Sequence, residues 1–157
     1  MKEQFVVLFR HGIAEPHGSG PDDERALTDT GRKRMAEIAP RFAEIFPKAK
    51  RVISSPLKRA VQTAEYLARS LALDVELSDA LRPGRDPEEA RKLIASIGER
   101  RLILVGHEPS LTSIMLHLTK LGSGGGMELK KGGCYAVRIG DGDARLEWML
   151  APRALRS

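Results

Sequence analysis

Six short runs of strand-forming residues alternate along the chain with segments whose apolar positions recur at three- and four-residue spacing. Gln4 to Arg10 holds the continuous run Phe5-Val6-Val7-Leu8-Phe9, which marks a strand covered on both faces. Arg51 to Ser54, Asp74 to Leu77 and Arg101 to Val105 read as further strands. Between them, Thr28 can cap a helix reaching about Phe46, with Pro40 expected to bend or interrupt it. Leu57, Ala60, Val61, Ala64, Leu67, Ala68 and Leu71 form one apolar stripe, which predicts a helix lying on a sheet. Asp86 as N-cap, Pro87 at the first helical position and Glu89 at the third make a capping-box pattern for the next helix. Pro109 opens a helix to about Leu118. After the Gly122–Gly126 stretch the period changes, and Cys134 to Ile139 and Ala144 to Leu150 read as a hairpin turned at Gly140-Asp141-Gly142-Asp143.

Strands alternating with helices predict an α/β fold, a three-layer α/β/α sandwich whose central sheet is mostly parallel with an antiparallel edge. The 157 residues suit a single domain, 1–157. Apolar residues at 41% and charged residues at 30% exclude a disordered chain, and no run reaches the length of a membrane span. Cys134 is the lone cysteine, so no intrachain disulfide forms and a cytoplasmic location is the default. A formal charge of +5 favours acidic partners without naming them. The basic clusters Arg32-Lys33-Arg34, Arg100-Arg101 and Lys130-Lys131 lie on different elements, and aromatics are only 4% of the chain. Nucleic-acid binding is therefore not expected, and these clusters read as solvated surface.

The chemistry sits at two strand ends. The first strand ends in Arg10-His11-Gly12 and the fourth runs into Gly106-His107-Glu108-Pro109. The C-terminal edge of an open α/β sheet is where loops and helix N-termini converge on ligands. Arg59 falls in the first turn of the helix after the second strand, hence on the same edge. Two arginines and two histidines there suit a tetrahedral anion, with guanidinium forks gripping oxygens in pairs.

The ordered set of segments also resembles the histidine phosphatase superfamily, the phosphoglycerate mutase-like fold. The residues that carry this are Leu8-Phe9-Arg10-His11-Gly12, Leu27-Thr28 with Gly31, Ser54-Ser55-Pro56 with Arg59-Ala60 and Gln62-Thr63-Ala64, and Val105-Gly106-His107-Glu108-Pro109. Short length, Leu81-Arg82-Pro83-Gly84 and Trp148-Met149-Leu150-Ala151-Pro152 resemble the small SixA-type phosphohistidine phosphatases within it. The resemblance implies a metal-independent phosphatase, without cofactor, in which His11 is the nucleophile and is transiently phosphorylated. Its other ring nitrogen should donate to a backbone carbonyl, fixing a neutral tautomer. Arg10, Arg59 and a protonated His107 would offset charge on the equatorial oxygens, and Gly12, Glu108 and Arg82 would contact substrate.

Larger members carry an acid in the loop after the third strand. Here that loop reads Leu81-Arg82-Pro83-Gly84, while Asp79 and Asp86 read as turn and cap residues. An alkoxide leaving group gains from a positioned acid, whereas the imidazole of phosphohistidine can take its proton from water. The missing acid thus favours phosphohistidine on a protein as substrate. A small phosphate ester or anhydride, with Glu108 or water as acid, is the alternative. Glu108 beside Pro109 reads equally as a residue favouring a helix N-terminus. Arg82 and Arg85 would rim the pocket and steer an acidic partner. Glu15 and His17 in the 13–26 loop read as exposed, and a non-catalytic phosphate-binding domain is the reading from a different class.

Overall fold

The protein was analysed as a computed structural model, which describes residues 3–123 and 125–156. Six strands form one sheet: β1 (Gln4–Arg10), β2 (Arg51–Ser54), β3 (Val75–Leu77), β4 (Arg101–Gly106), β5 (Cys134–Ile139) and β6 (Ala144–Leu150), in the order β3-β2-β4-β1-β5-β6. The first four in that order are parallel, and β5 and β6 add the antiparallel edge. Alternation within the buried strands decides the layers. Val7 and Phe9 of β1, with Ile103 and Val105 of β4, pack under Met35, Ile38 and Phe42 of α1 (Asp29–Ile45) and Ala64 and Leu67 of α2 (Lys58–Leu71). Val6, Leu8, Leu102 and Leu104 face the other way, onto Ile94 of α3 (Pro87–Ile97) and Leu111, Ile114 and Met115 of α4 (Ser110–Thr119). The result is the expected α/β/α sandwich, and both faces of the central strands are dry, which is why they read as unbroken apolar runs.

Three local details depart from the sequence reading or sharpen it. Pro40 neither ends nor interrupts α1. Its missing N–H leaves the Ala36 carbonyl without a helical donor, but Pro40 and Ala36 are both exposed, so water can serve that carbonyl while Met35, Ile38, Ala39 and Phe42 hold the buried face. At α3, Asp86 caps as expected by accepting from the Glu88 N–H at 2.9 Å, yet Glu89 pairs with Arg85 at 3.5 Å instead of closing a reciprocal box. Finally, Thr28 caps α1 by accepting from the Gly31 N–H at 3.0 Å, and a Cβ at Gly31 would stand 2.2 Å from the Ile13 carbonyl oxygen. Only glycine lets the start of α1 press against the chain just beyond β1. Among the described residues no helix is long and apolar enough to cross a membrane.

Candidate active site

The last pairing of β1 with β4 sets Arg10 opposite Gly106, and the His11 N–H extends the ladder by donating to the Gly106 carbonyl at 3.0 Å. This registry brings the two strand-end histidines together. Their ring centroids lie 5.2 Å apart, with the planes inclined at 57°, and both side chains are buried. His11 Nδ1 lies 2.7 Å from the carbonyl oxygen of Gly12, so Nδ1 carries the proton and donates it, leaving the Nε2 lone pair free. Burial is the main reason the ring's pKa falls to about 3, and the nearby charges of Arg59, Arg10 and Lys131 push the same way. At neutral pH His11 is an uncharged imidazole with a fixed tautomer.

Gly12 serves this arrangement through its backbone. Its carbonyl holds His11, and its N–H donates to Thr63 Oγ1 at 3.0 Å while the Thr63 hydroxyl donates to the Arg59 carbonyl at 2.8 Å. Thr63 thereby ties the chain beyond β1 to the first turns of α2, and the Gly12 N–H is not left for substrate. A Cβ at Gly12 would sit 3.2 Å from Met35 Cγ, so close packing against α1 also favours glycine there.

Arg59 is buried on the first turn of α2. One of its terminal nitrogens donates to the Asp22 carbonyl at 2.8 Å and the other to Asp22 Oδ2 at 3.2 Å. Arg10 donates through Nη1 to the Leu129 carbonyl and lies 3.4 Å from Glu128. His107 Nε2 meets the Ser55 hydroxyl at 2.8 Å, and Ser55 Oγ also accepts from the Leu57 N–H. What these groups lack is as informative as what they have. Five buried side-chain nitrogens have no protein partner among the described residues, and three of them are Arg10 Nε, Arg59 Nε and His107 Nδ1. Buried polar groups are nearly always satisfied, so three orphans around one neutral histidine point to an acceptor-rich ligand.

The sequence model of the histidine phosphatase superfamily (branch 1) matches residues 6–83, the span containing Arg10, His11 and Arg59. The chain belongs to that superfamily. An uncharacterized protein of Picosynechococcus sp. is 31% identical over 143 residues, covering 86% of this chain and 85% of its own length. Among solved structures, the protein histidine phosphatase SixA complexed with tungstate superposes with a TM-score of 0.84 at 23% identity, covering 98% of this chain and 100% of that one. A mycobacterial glucosyl-3-phosphoglycerate phosphatase gives a TM-score of 0.75 at 18% identity, covering 93% and 98%. Membership in the histidine phosphatase superfamily supports phosphatase activity.

The sequence expectation of a protonated His107 concerns the ring beside bound phosphate; in the protein alone, burial, then the neighbouring His11 and Arg59, lower its pKa to about 3. A neutral ring is the consequence, and only a bound anion would reverse it. Glu108 is fully engaged elsewhere. Its Oε1 accepts from the Thr112 N–H at 2.8 Å, and its Oε2 accepts from the Thr112 hydroxyl at 2.5 Å and the Leu129 N–H at 2.8 Å. Of the two readings of Glu108, the helix-terminus reading matches these bonds. It pins Leu129, whose carbonyl holds Arg10, so it acts on the site through that backbone. Arg82 sits on the rim, bound to Asp79 Oδ1 at 2.8 Å and Asp23 Oδ2 at 3.3 Å.

Two sets of contacts escaped sequence reasoning. The first is made by the 13–27 loop, pinned at its ends by the Ala14–Leu27 bridge, whose turn at Asp22–Glu24 lays Asp22 on Arg59 and Asp23 on Arg82. The second is made by the stretch before β5, where the Gly132 N–H donates to the carbonyls of Arg10 and His11, both at 3.1 Å. Gly132 has φ +85°, a left-handed conformation that explains the glycine and was the one available signal. Cys134 is buried, and burial pushes its thiol well above the ordinary range, so it is the small residue opening a strand and not a nucleophile. Among the described residues no three His, Cys, Asp or Glu side chains group as metal ligands.

Proposed function

We propose that this chain hydrolyses phosphohistidine on a protein, through a phosphorylated His11. The observation that carries the reading is the neutral His11 ring, held by Gly12 so that Nε2 is the free nucleophile. In the first step the Nε2 lone pair forms a bond to phosphorus as the substrate's P–N bond breaks, and the departing imidazole takes a proton from water. In the second, water attacks phospho-His11, its P–N bond breaks, and inorganic phosphate leaves with His11 neutral again. Arg10, Arg59 and His107 supply donors for the equatorial oxygens, where positioning and charge provide most of the rate. The SixA structure of the same fold was solved with tungstate, which supports an oxyanion as the ligand of such a site.

The carboxyl groups near the site support a leaving group that needs no acid. Asp22 is held below the ordinary carboxylate range, mainly by its bond to Arg25 and further by Arg59, so it is ionised and has no proton to give. Asp23 is paired with Arg82, and Glu108 is spent on Thr112 and Leu129. The test is to expose the protein to a phosphoryl donor and map the label. Acid-labile, base-stable phosphate on His11, absent in His11→Ala, together with faster turnover of a phosphohistidine protein than of sugar phosphates, is the expected result. Label without that preference transfers the chain to small esters, and phosphate binding with no label makes it a binding domain.

A further inference from the structure

A groove of about 580 Å³ opens beside the catalytic edge, with Arg10 as one wall. Sequence reasoning assigned Arg32-Lys33-Arg34 and Lys130-Lys131 to separate solvated surfaces. The fold instead brings Arg34 of α1 and Lys130 and Lys131 of the stretch before β5 to the same groove, together with Arg153 and Arg156 of the C-terminal turn at Pro152–Leu155. Lys130, Lys131, Arg153 and Arg156 form no ion pair among the described residues, whereas Arg25, Arg32, Arg51, Arg82, Arg91 and Arg138 are each matched by a carboxylate. Glu128, largely exposed, is the one acidic residue on the lining. The surface therefore holds an uncompensated positive charge directly beside the nucleophile, and Lys131 is near enough to depress the His11 pKa.

The floor is apolar, made by Ile13, Leu129, Ala151 and Pro152. An apolar floor with a rim of long, flexible cations suits a protein surface, where area and complementary charge both count. Outside Arg10 the groove has one buried guanidinium nitrogen, Arg156 Nε, fewer than the several forks and backbone N–H groups that enclose a small polyanion. No aromatic side chain lines the groove, so there is no platform on which nucleic-acid bases could stack. Building on the phosphohistidine reading above, we propose that this groove docks an acidic face of the protein substrate, placing its phosphorylated histidine over His11.

The test uses the double charge reversal Lys130→Glu/Arg153→Glu, both exposed and outside the catalytic groups. With a histidine-phosphorylated acidic carrier protein at low salt, kcat/KM should fall at least about tenfold, while kcat/KM for free phosphohistidine stays within about twofold. Added salt should slow the wild type on the protein substrate and leave the variant nearly unaffected, because screening removes only the long-range attraction. Equal loss on both substrates, or no loss on the protein, overturns the proposal. Binding of a fluorescent polyglutamate peptide gives a second reading that needs no turnover. The reversal should weaken it at least about tenfold, and unchanged affinity, or tighter wild-type binding of a single-stranded oligonucleotide of equal charge, refutes the docking role. If wild type turns over neither phosphohistidine substrate yet the peptide result holds, the substrate assignment falls and the groove stands.

Discussion

Acidification should unfold this protein through its two strand-end histidines. Each ring has a pKa of about 3 in the folded chain, with burial as the largest cause, against the ordinary 6.5 once exposed. The unfolded state therefore binds more protons between those values, and stability rises with pH across that window. The contribution is fully present above the unfolded pKa and is lost as pH falls from about 6.5 toward 3. From pH 7 to pH 5 the unfolded ring gains a proton that the folded ring refuses, worth about 2 kcal/mol per histidine and about 4 kcal/mol for both. That is a large share of the typical 5–15 kcal/mol total. Urea denaturation at pH 7, 6 and 5 measures it directly. The double variant His11→Asn/His107→Gln should lose most of the pH slope while keeping the midpoint cooperative. A slope unchanged in that variant would refute the assignment of the protons to these rings, whatever its absolute stability.

Two further predictions address the polar frame around the site. Glu108→Gln should lower both stability, by about 1–2 kcal/mol from its three hydrogen bonds, and kcat, through the loosened Leu129–Arg10 contact, while the pH–rate profile keeps its shape; loss of one limb would make Glu108 a proton donor after all. Asp22→Asn should tighten inhibition by inorganic phosphate roughly fivefold, about 1 kcal/mol, because Arg59 loses its competing carboxylate; weaker inhibition would show that Asp22 assists anion binding.

The central strands were legible because burial on both faces writes itself as unbroken apolar runs, and β6 because its alternation marks a half-buried edge. β1, β2, β5 and β6 match the expected boundaries residue for residue, and β4 extends by Gly106 alone. The four central site groups were legible for a related reason. Arg10 ends β1, His11 and His107 directly follow strand ends, and Arg59 rides on the helix after β2, so the topology alone puts them on one edge. What stayed hidden lies in segments without periodicity. Asp22 reaches Arg59 across 37 positions of sequence, and Leu129 reaches Arg10 across 119. The basic groove assembles from α1, the stretch before β5 and the C-terminal turn, and no local pattern encodes such convergence.

These hidden contacts explain how a buried guanidinium is charge-compensated within the protein. Arg59 is only 4% exposed, and burial lowers its pKa while Asp22 offsets that effect. A buried guanidinium without an anion would cost several kcal/mol, so it needs a counter-ion. Asp22 fits that need because it is half-exposed, belongs to a loop, and gives Arg59 two oxygens. Arg59 Nε and His107 Nδ1 stay unpartnered in this arrangement, so an arriving phosphoryl group gains bonds that Asp22 does not provide. His11 does not depend on the Asp22–Arg59 pairing, since its ring is held by the Gly12 carbonyl, and Gly12 by Thr63, not by the 13–27 loop.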